Sequence, residues 1–288
     1  MADLPFKSIA IVGLGLIGMS LVRAIKQSPL AKEYGIELHG FDPYLSAEEQ
    51  QFVLAHGLDR FIDDKKTLYS ADLVILAAPV EVNIALLGEI KQLAPPSTLV
   101  SDVSSTKALI ARRARELDLP FIGMHPMAGK EQKGCQESHE ELLLGKRLIF
   151  CDDHTLLTSG KGAFLVKLMQ SAGCTTLAMT PDDHDRIIAR VSHLPQLLST
   201  LLMQHCGDAL HASGPGFATL ARLSGSSWEI WRDIVATNSD NIADELEQFS
   251  QALALLANEV RVGDLQQLEL RFSQANCLYQ HLKEMNRS

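Results

Sequence analysis

The run Phe121-Ile122-Gly123-Met124 ends at a histidine followed at once by proline, His125-Pro126, and a serine pair, Ser104-Ser105, follows another β-type run ending at Asp102-Val103. An imidazole at a strand end can take a proton near neutral pH, because its ordinary pKa of about 6.5 lies there. A neighbouring hydroxyl could orient it. Plainer roles are open to both: His125 could simply end a strand, and Ser104 or Ser105 could cap the next helix. A third pattern, Gly13-Leu14-Gly15-Leu16-Ile17-Gly18, has the spacing G-x-G-x-x-G directly after a β-type run at 8–13. There Gly13 permits a tight turn, Gly15 lets a pyrophosphate approach the backbone, and Gly18 lets the helix pack close to the sheet. Leu14, Leu16 and Ile17 contribute backbone to the same cradle. A second run ends in Asp42, where an acid can accept hydrogen bonds from ribose hydroxyls. Pro43-Tyr44-Leu45 offer no arginine for a 2′-phosphate, so NAD is expected over NADP.

Those residues need a scaffold. Short β-rich runs at 8–13, 37–42, 71–79, 98–103 and 120–125 alternate with helical patterns of about 10 to 15 residues, as in a parallel sheet built from βαβ units. A weaker strand is expected near 59–62, and two more in 146–179. In such a sheet the ligand lies across the carboxyl ends of the strands. If the runs at 98–103 and 120–125 are neighbours, Ser104 and Ser105 come near His125, with Ala78-Pro79 as part of the nicotinamide floor. From Pro181 onward the pattern is helical. Ile242, Leu246, Phe249, Leu253, Leu256 and Val260 form one seam, and Leu265, Leu268, Phe272, Ala275, Tyr279 and Leu282 a second, separated by Gly263-Asp264. The fold class expected is α/β: a Rossmann-type doubly wound sheet over 1–180, then an all-helical dimerisation and substrate domain over 181–288.

Composition narrows the partners. The 288 residues carry a net charge of −9 with no basic block, which argues against nucleic acid or an anionic membrane. The N-terminus has no signal-peptide stretch, and no apolar run approaches the ~20 residues of a membrane helix. Five irregularly spaced cysteines suit reduced thiols in a cytoplasmic protein. No C-x-x-C or histidine pair suggests a metal, and Asp182-Asp183-His184-Asp185 is expected to be a helix start whose acids cap it and complement its dipole.

Taken in order, the glycine loop, "DVSSTK" (102–107), "HPMAG" (125–129), "HD" (184–185), "SHLPQ" (192–196) and "ARLSGSSWEIWRDIVATN" (221–238) resemble the prephenate/arogenate dehydrogenases of tyrosine biosynthesis. The resemblance implies a nucleotide-binding domain and a helical dimerisation domain in a homodimer. It also implies oxidation and decarboxylation of a cyclohexadienol, prephenate or arogenate. By position, His125 would accept the ring hydroxyl proton, Ser105 would hydrogen-bond at the same centre, and Arg222 would bind a substrate carboxylate. Arg222 cannot separate the two substrates, since both carry carboxylates; without an acid identifiable to meet an ammonium, prephenate is favoured.

Other residues keep two readings. Pro195 should kink a helix, with His193 either packed or on the pocket wall and Gln196 on that wall, near the substrate side chain. Trp228 and Trp231, at i, i+3, are expected to pack. Lys130 could contact substrate or a cofactor phosphate. Two rival functions remain. A β-hydroxyacid dehydrogenase would need a K-x-x-N pair on a central helix, and the pair here is Lys283–Asn286, in the tail. A non-catalytic NAD sensor would need the glycine loop but not His125, Ser105 and Arg222 together.

Overall fold

The computed structural model describes residues 5–130, 132–152, 155–158 and 160–285; Asn286 lies outside them. Its sheet has eight strands in the order β3-β2-β1-β4-β5-β6-β7-β8. They are β1 (Ser8–Val12), β2 (Glu37–Phe41), β3 (Arg60–Phe61), β4 (Leu73–Leu76), β5 (Leu99–Asp102), β6 (Phe121–Pro126), β7 (Arg147–Cys151) and β8 (Thr175–Met179). The weak strand expected near 59–62 is β3. Side chains alternate across the sheet, so one strand feeds two cores. Ile9, Ile11, Leu73 and Ile75 pack on one face with helix Leu16–Gln27, while Ala10, Val12, Val74 and Leu76 pack on the other with Leu87 and Ile110.

Neighbouring strands are parallel except β6 and β7, which run antiparallel with His125 opposite Ile149. Between them the described chain forms only short turns at Cys135–Glu137 and Glu140–Leu142, and a parallel return would need a crossover, usually a helix. Arg23 fastens this segment to helix Leu16–Gln27 through Glu140 and the Ser138 carbonyl, and Cys135 and Leu143 are buried.

Every element after Met179 is helical. The chain divides into two compact units, Met1–Ser239 and Asp240–Ser288. Within the first, Pro195 sits at the start of helix Leu194–His205, and the preceding residues Ala189–His193 form a wide π-type turn. That turn accommodates the backbone bond the proline cannot make. The second unit carries helices Ser239–Val262 and Leu265–Met285. Gly263 adopts φ of +68°, Asp264 caps the second helix through the Gln267 N–H, and Arg271 grips Glu259 with two bonds of 2.5 and 2.6 Å. Phe249, Leu253, Val260, Leu265, Phe272, Tyr279 and Leu282 of the expected seams are exposed in the single chain. Among the described residues no helix is long and apolar enough to cross a membrane.

Candidate functional site

The glycine loop turns from β1 into helix Leu16–Gln27 at the point where strand order reverses between β1 and β4. A Cβ on Gly18 would lie 2.0 Å from the Gly13 carbonyl oxygen, and one on Gly13 would lie 2.7 Å from the Ala77–Ala78 backbone. By contrast, a Cβ on Gly15 would meet nothing within 4 Å. Gly13 and Gly18 are therefore glycines for packing, and Gly15 is one that leaves the backbone open. The helix behind it has no side-chain cap, so its first N–H groups face outward as an anion site. Asp42 accepts from Leu14 N–H (2.9 Å) and Tyr44 N–H (3.0 Å), one per carboxylate oxygen. Each oxygen keeps acceptor capacity for a ribose hydroxyl. These residues fit a dinucleotide. Asn83, which the sequence did not single out, lies buried beside them and donates to the Ala78 carbonyl (2.8 Å) and to Ser104 Oγ (3.0 Å). It thereby joins the end of β4 to the loop after β5.

β5 and β6 are neighbours, as expected. His125 stands at the end of β6, partly exposed, with Nδ1 2.9 Å from His184 Nε2. His184 Nδ1 in turn lies 2.7 Å from Asp185 Oδ1. Asp185 also accepts the N–H groups of Lys107 (2.7 Å) and Ala108 (2.8 Å), at the start of helix Ala108–Glu116, which has no cap of its own. The expectation for Asp182–Asp185 holds for Asp182 and Asp183, which lie in the first turn of the helix, and needs correction for His184 and Asp185. Thr180 caps helix Pro181–Ile188 through the Asp183 N–H, whereas His184 and Asp185 turn inward to the site. The cause is helical period: Pro181, His184, Asp185 and Ile188 share the buried face.

Several expected site residues are placed differently. Among the described residues no hydrogen bond joins Ser105 to His125; Ser105 sits partly exposed in the loop that Asp185 anchors. Gln196 is buried with its amide engaged at both ends, Nε2 donating to the Leu223 carbonyl (2.7 Å) and Oε1 accepting from Ser226 (3.0 Å). It holds the turn Arg222–Gly225. His193 is buried, edge-on to Trp231, and accepts from Asn238 Nδ2 at 3.3 Å, so packing is its first role. Trp228, expected to pack, is 66% exposed. Lys130 pairs with Glu137 within its own segment, at 2.9 Å. Arg222 is exposed.

Burial favours the uncharged form of all three histidines. It pushes His125 well below the usual histidine value, helped by His184, the Lys107 cation and His193. It lowers His184 against the pull of Asp185, and it lowers His193 to about 4. All three are therefore uncharged at neutral pH. Unfolded, they take up protons below about 6.5, so between there and the native values the unfolded chain binds more protons. Stability is expected to fall as pH drops through that window, first between about 6.5 and 5, above the carboxylate range. Urea midpoints at stepped pH check this, and a flat profile would contradict it.

The sequence model described as "Prephenate dehydrogenase, nucleotide-binding domain" matches residues 33–164, and that described as "Prephenate dehydrogenase, dimerization domain" matches residues 180–274. The chain belongs to the prephenate dehydrogenase family. A prephenate dehydrogenase of Bacillus subtilis (strain 168) is 29% identical over 93% of this chain and 74% of its own. The solved Synechocystis arogenate dehydrogenase is 26% identical with a TM-score of 0.81, covering 93% of this chain and 97% of that one. A prephenate dehydrogenase from Aquifex aeolicus, solved in complex with hydroxyphenyl propionate and NAD+, shares the fold at 24% identity and a TM-score of 0.83, over 98% of this chain and 100% of that one.

The first family match begins after the glycine loop, so the cradle rests on its local geometry. His125 falls in the nucleotide-binding span and His184, Asp185 and Arg222 in the dimerization span. The site therefore draws on both family modules. Asn83 and Lys107 were not assigned roles from the sequence, and His184 and Asp185 were read only as part of a helix start. For His184 and Asp185 the signal existed, since i, i+3, i+4, i+7 periodicity aligns them with Pro181 and Ile188.

Proposed function

We propose that the protein catalyses NAD-dependent oxidative decarboxylation of prephenate to 4-hydroxyphenylpyruvate, a step of tyrosine biosynthesis, in the cytoplasm. The observation that carries this reading is an uncharged strand-end imidazole, His125, on the same sheet edge as an open dinucleotide cradle, in a chain of this family. The Gly13–Gly18 backbone and Asp42 would hold NAD, with Ala78, Pro79 and Ser104 toward its nicotinamide, and the cofactor would supply the hydride acceptor. His125 takes the ring hydroxyl proton, and loss of carbon dioxide then aromatises the ring. Arg222 pairs with a substrate carboxylate, and Ser105 stands by the reacting centre. Asp42 would repel a 2′-phosphate. The chain divides by function near 180/181, after β8, and buried thiols Cys135, Cys151 and Cys174 suit a reducing compartment.

Arogenate is the second reading, favoured by the likeness to the Synechocystis enzyme. Parallel assays at the reduced-nicotinamide band test both. Turnover of prephenate with NAD, and much less with NADP, is expected. A tenfold higher kcat/KM for arogenate would overturn the substrate choice, and equal kcat/KM for both cofactors would overturn the role of Asp42.

The exposed seams on Ser239–Val262 and Leu265–Met285, in a span matching a dimerization domain, support a homodimer. Light scattering at micromolar concentration is expected to give twice the monomer mass; a monomer would refute it.

A further inference from the structure

With His184 uncharged, the chain Asp185–His184–His125 has one consistent arrangement of protons. An aspartate carboxylate has acceptors only, and Asp185 Oδ1 faces His184 Nδ1 at 2.7 Å. His184 must therefore carry its proton on Nδ1. A neutral imidazole has one N–H, so His184 Nε2 is a bare acceptor. The atom 2.9 Å from it is His125 Nδ1, which must then be the donor. His125 is left with Nε2 bare. Free histidine prefers the opposite tautomer, with the proton on Nε2, and in that form it could not accept a proton there.

We infer that Asp185 and His184 are positioning residues that impose the Nδ1–H tautomer on His125 and so prepare Nε2 to receive a proton. The anchor is rigid. Asp185 is held by the N–H groups of Lys107 and Ala108, and the Asp185 carbonyl accepts from Asn238 Nδ2 at 2.9 Å. When Nε2 takes a proton, the Nδ1–H bond to His184 remains and strengthens as the ring becomes cationic. The proton does not stay. Burial acts on His125 together with His184, the Lys107 cation, itself paired with Asp102, and His193, and each disfavours a standing charge on the ring. Being partly exposed, His125 can release it. This arrangement resembles the aspartate–histidine half of a hydrolase triad, where the acid holds the ring in the correct tautomer, with a second histidine interposed.

The inference rests on the reading of His125 as the base, but its test does not need turnover. In protein labelled with 15N-histidine, without cofactor or substrate, long-range 15N–1H correlation distinguishes a protonated from a bare ring nitrogen. At neutral pH His125 is expected to show Nδ1 protonated and Nε2 bare. In His184→Phe, which removes the acceptor at similar size, the His125 signal should move toward the Nε2–H form. His184→Gln, whose amide oxygen can accept from Nδ1–H, should move it back. kcat should follow the same order, falling at least about tenfold in the Phe variant, within the ~10² to 10⁴ that a general base contributes, and recovering partly in the Gln variant. A wild-type His125 protonated on Nε2 overturns the inference, even if the Phe variant fails to fold. So does a tautomer unchanged by His184→Phe. If the tautomers follow the expectation while the wild type turns over neither prephenate nor arogenate, the functional reading fails and the proton arrangement stands.

Discussion

Replacing His125 with asparagine is expected to lower kcat by about 10² to 10⁴ while NAD binding persists. Asparagine keeps a polar group at the end of β6 and can still donate toward His184, so the strand pairing with β5 and β7 has no reason to change. What it removes is the bare ring nitrogen. The dinucleotide cradle lies on β1, β2 and β4 and does not involve this side chain, so calorimetric titration with NAD should give nearly the wild-type affinity. In the wild type, the acid limb of the pH–rate profile should lie below the usual histidine value, because burial and the nearby positive charge of Lys107 hold His125 down. Near-normal turnover in the variant would mean that His125 merely ends a strand.

Replacing Lys107 with methionine is expected to cost about 3–5 kcal/mol of stability, the range for breaking a buried ion pair from one side. The pair is Lys107 Nζ with Asp102 Oδ2, and both side chains are fully buried. Asp102 Oδ2 also accepts from Ser104 N–H at 3.0 Å, and Asp102 Oδ1 has no hydrogen-bond partner among the described residues. Removing the ammonium leaves a carboxylate with one remaining donor in a dry interior. The lysine stem has been given room at the sheet, since a Cβ on Gly123 would lie 2.7 Å from Lys107 Cδ. Because total stability is typically about 5–15 kcal/mol, such a loss should be plain in the urea midpoint. The double variant Asp102→Asn, Lys107→Met removes both charges and should recover much of it. A single variant within about 1 kcal/mol of wild type would show that the pair carries little.

These two residues mark where the sequence sufficed and where it did not. His125 was legible because its signal is local: a β-type run broken by His-Pro, on a chain whose alternating runs already imply a parallel sheet with ligand at its carboxyl edge. The glycine loop, Asp42, the strands and the two terminal helices with their Gly263-Asp264 joint were legible for the same reason, each resting on spacing within a few residues. Lys107 entered only as the last residue of the DVSSTK motif, and His184-Asp185 as part of a charged helix start. Their partners lie 78 residues away for Asp185 with Lys107 and 59 for His184 with His125. The contacts of Gln196 were hidden likewise, because the Leu223 carbonyl and Ser226 hydroxyl that meet its amide lie 27 and 30 residues on. Periodicity tells which face of an element is buried. Which donor meets which acceptor on that face depends on how two elements dock, and the docking of helix Pro181–Ile188 against the loop after β5 turned a helix-start acid into the anchor of the His184–His125 pair.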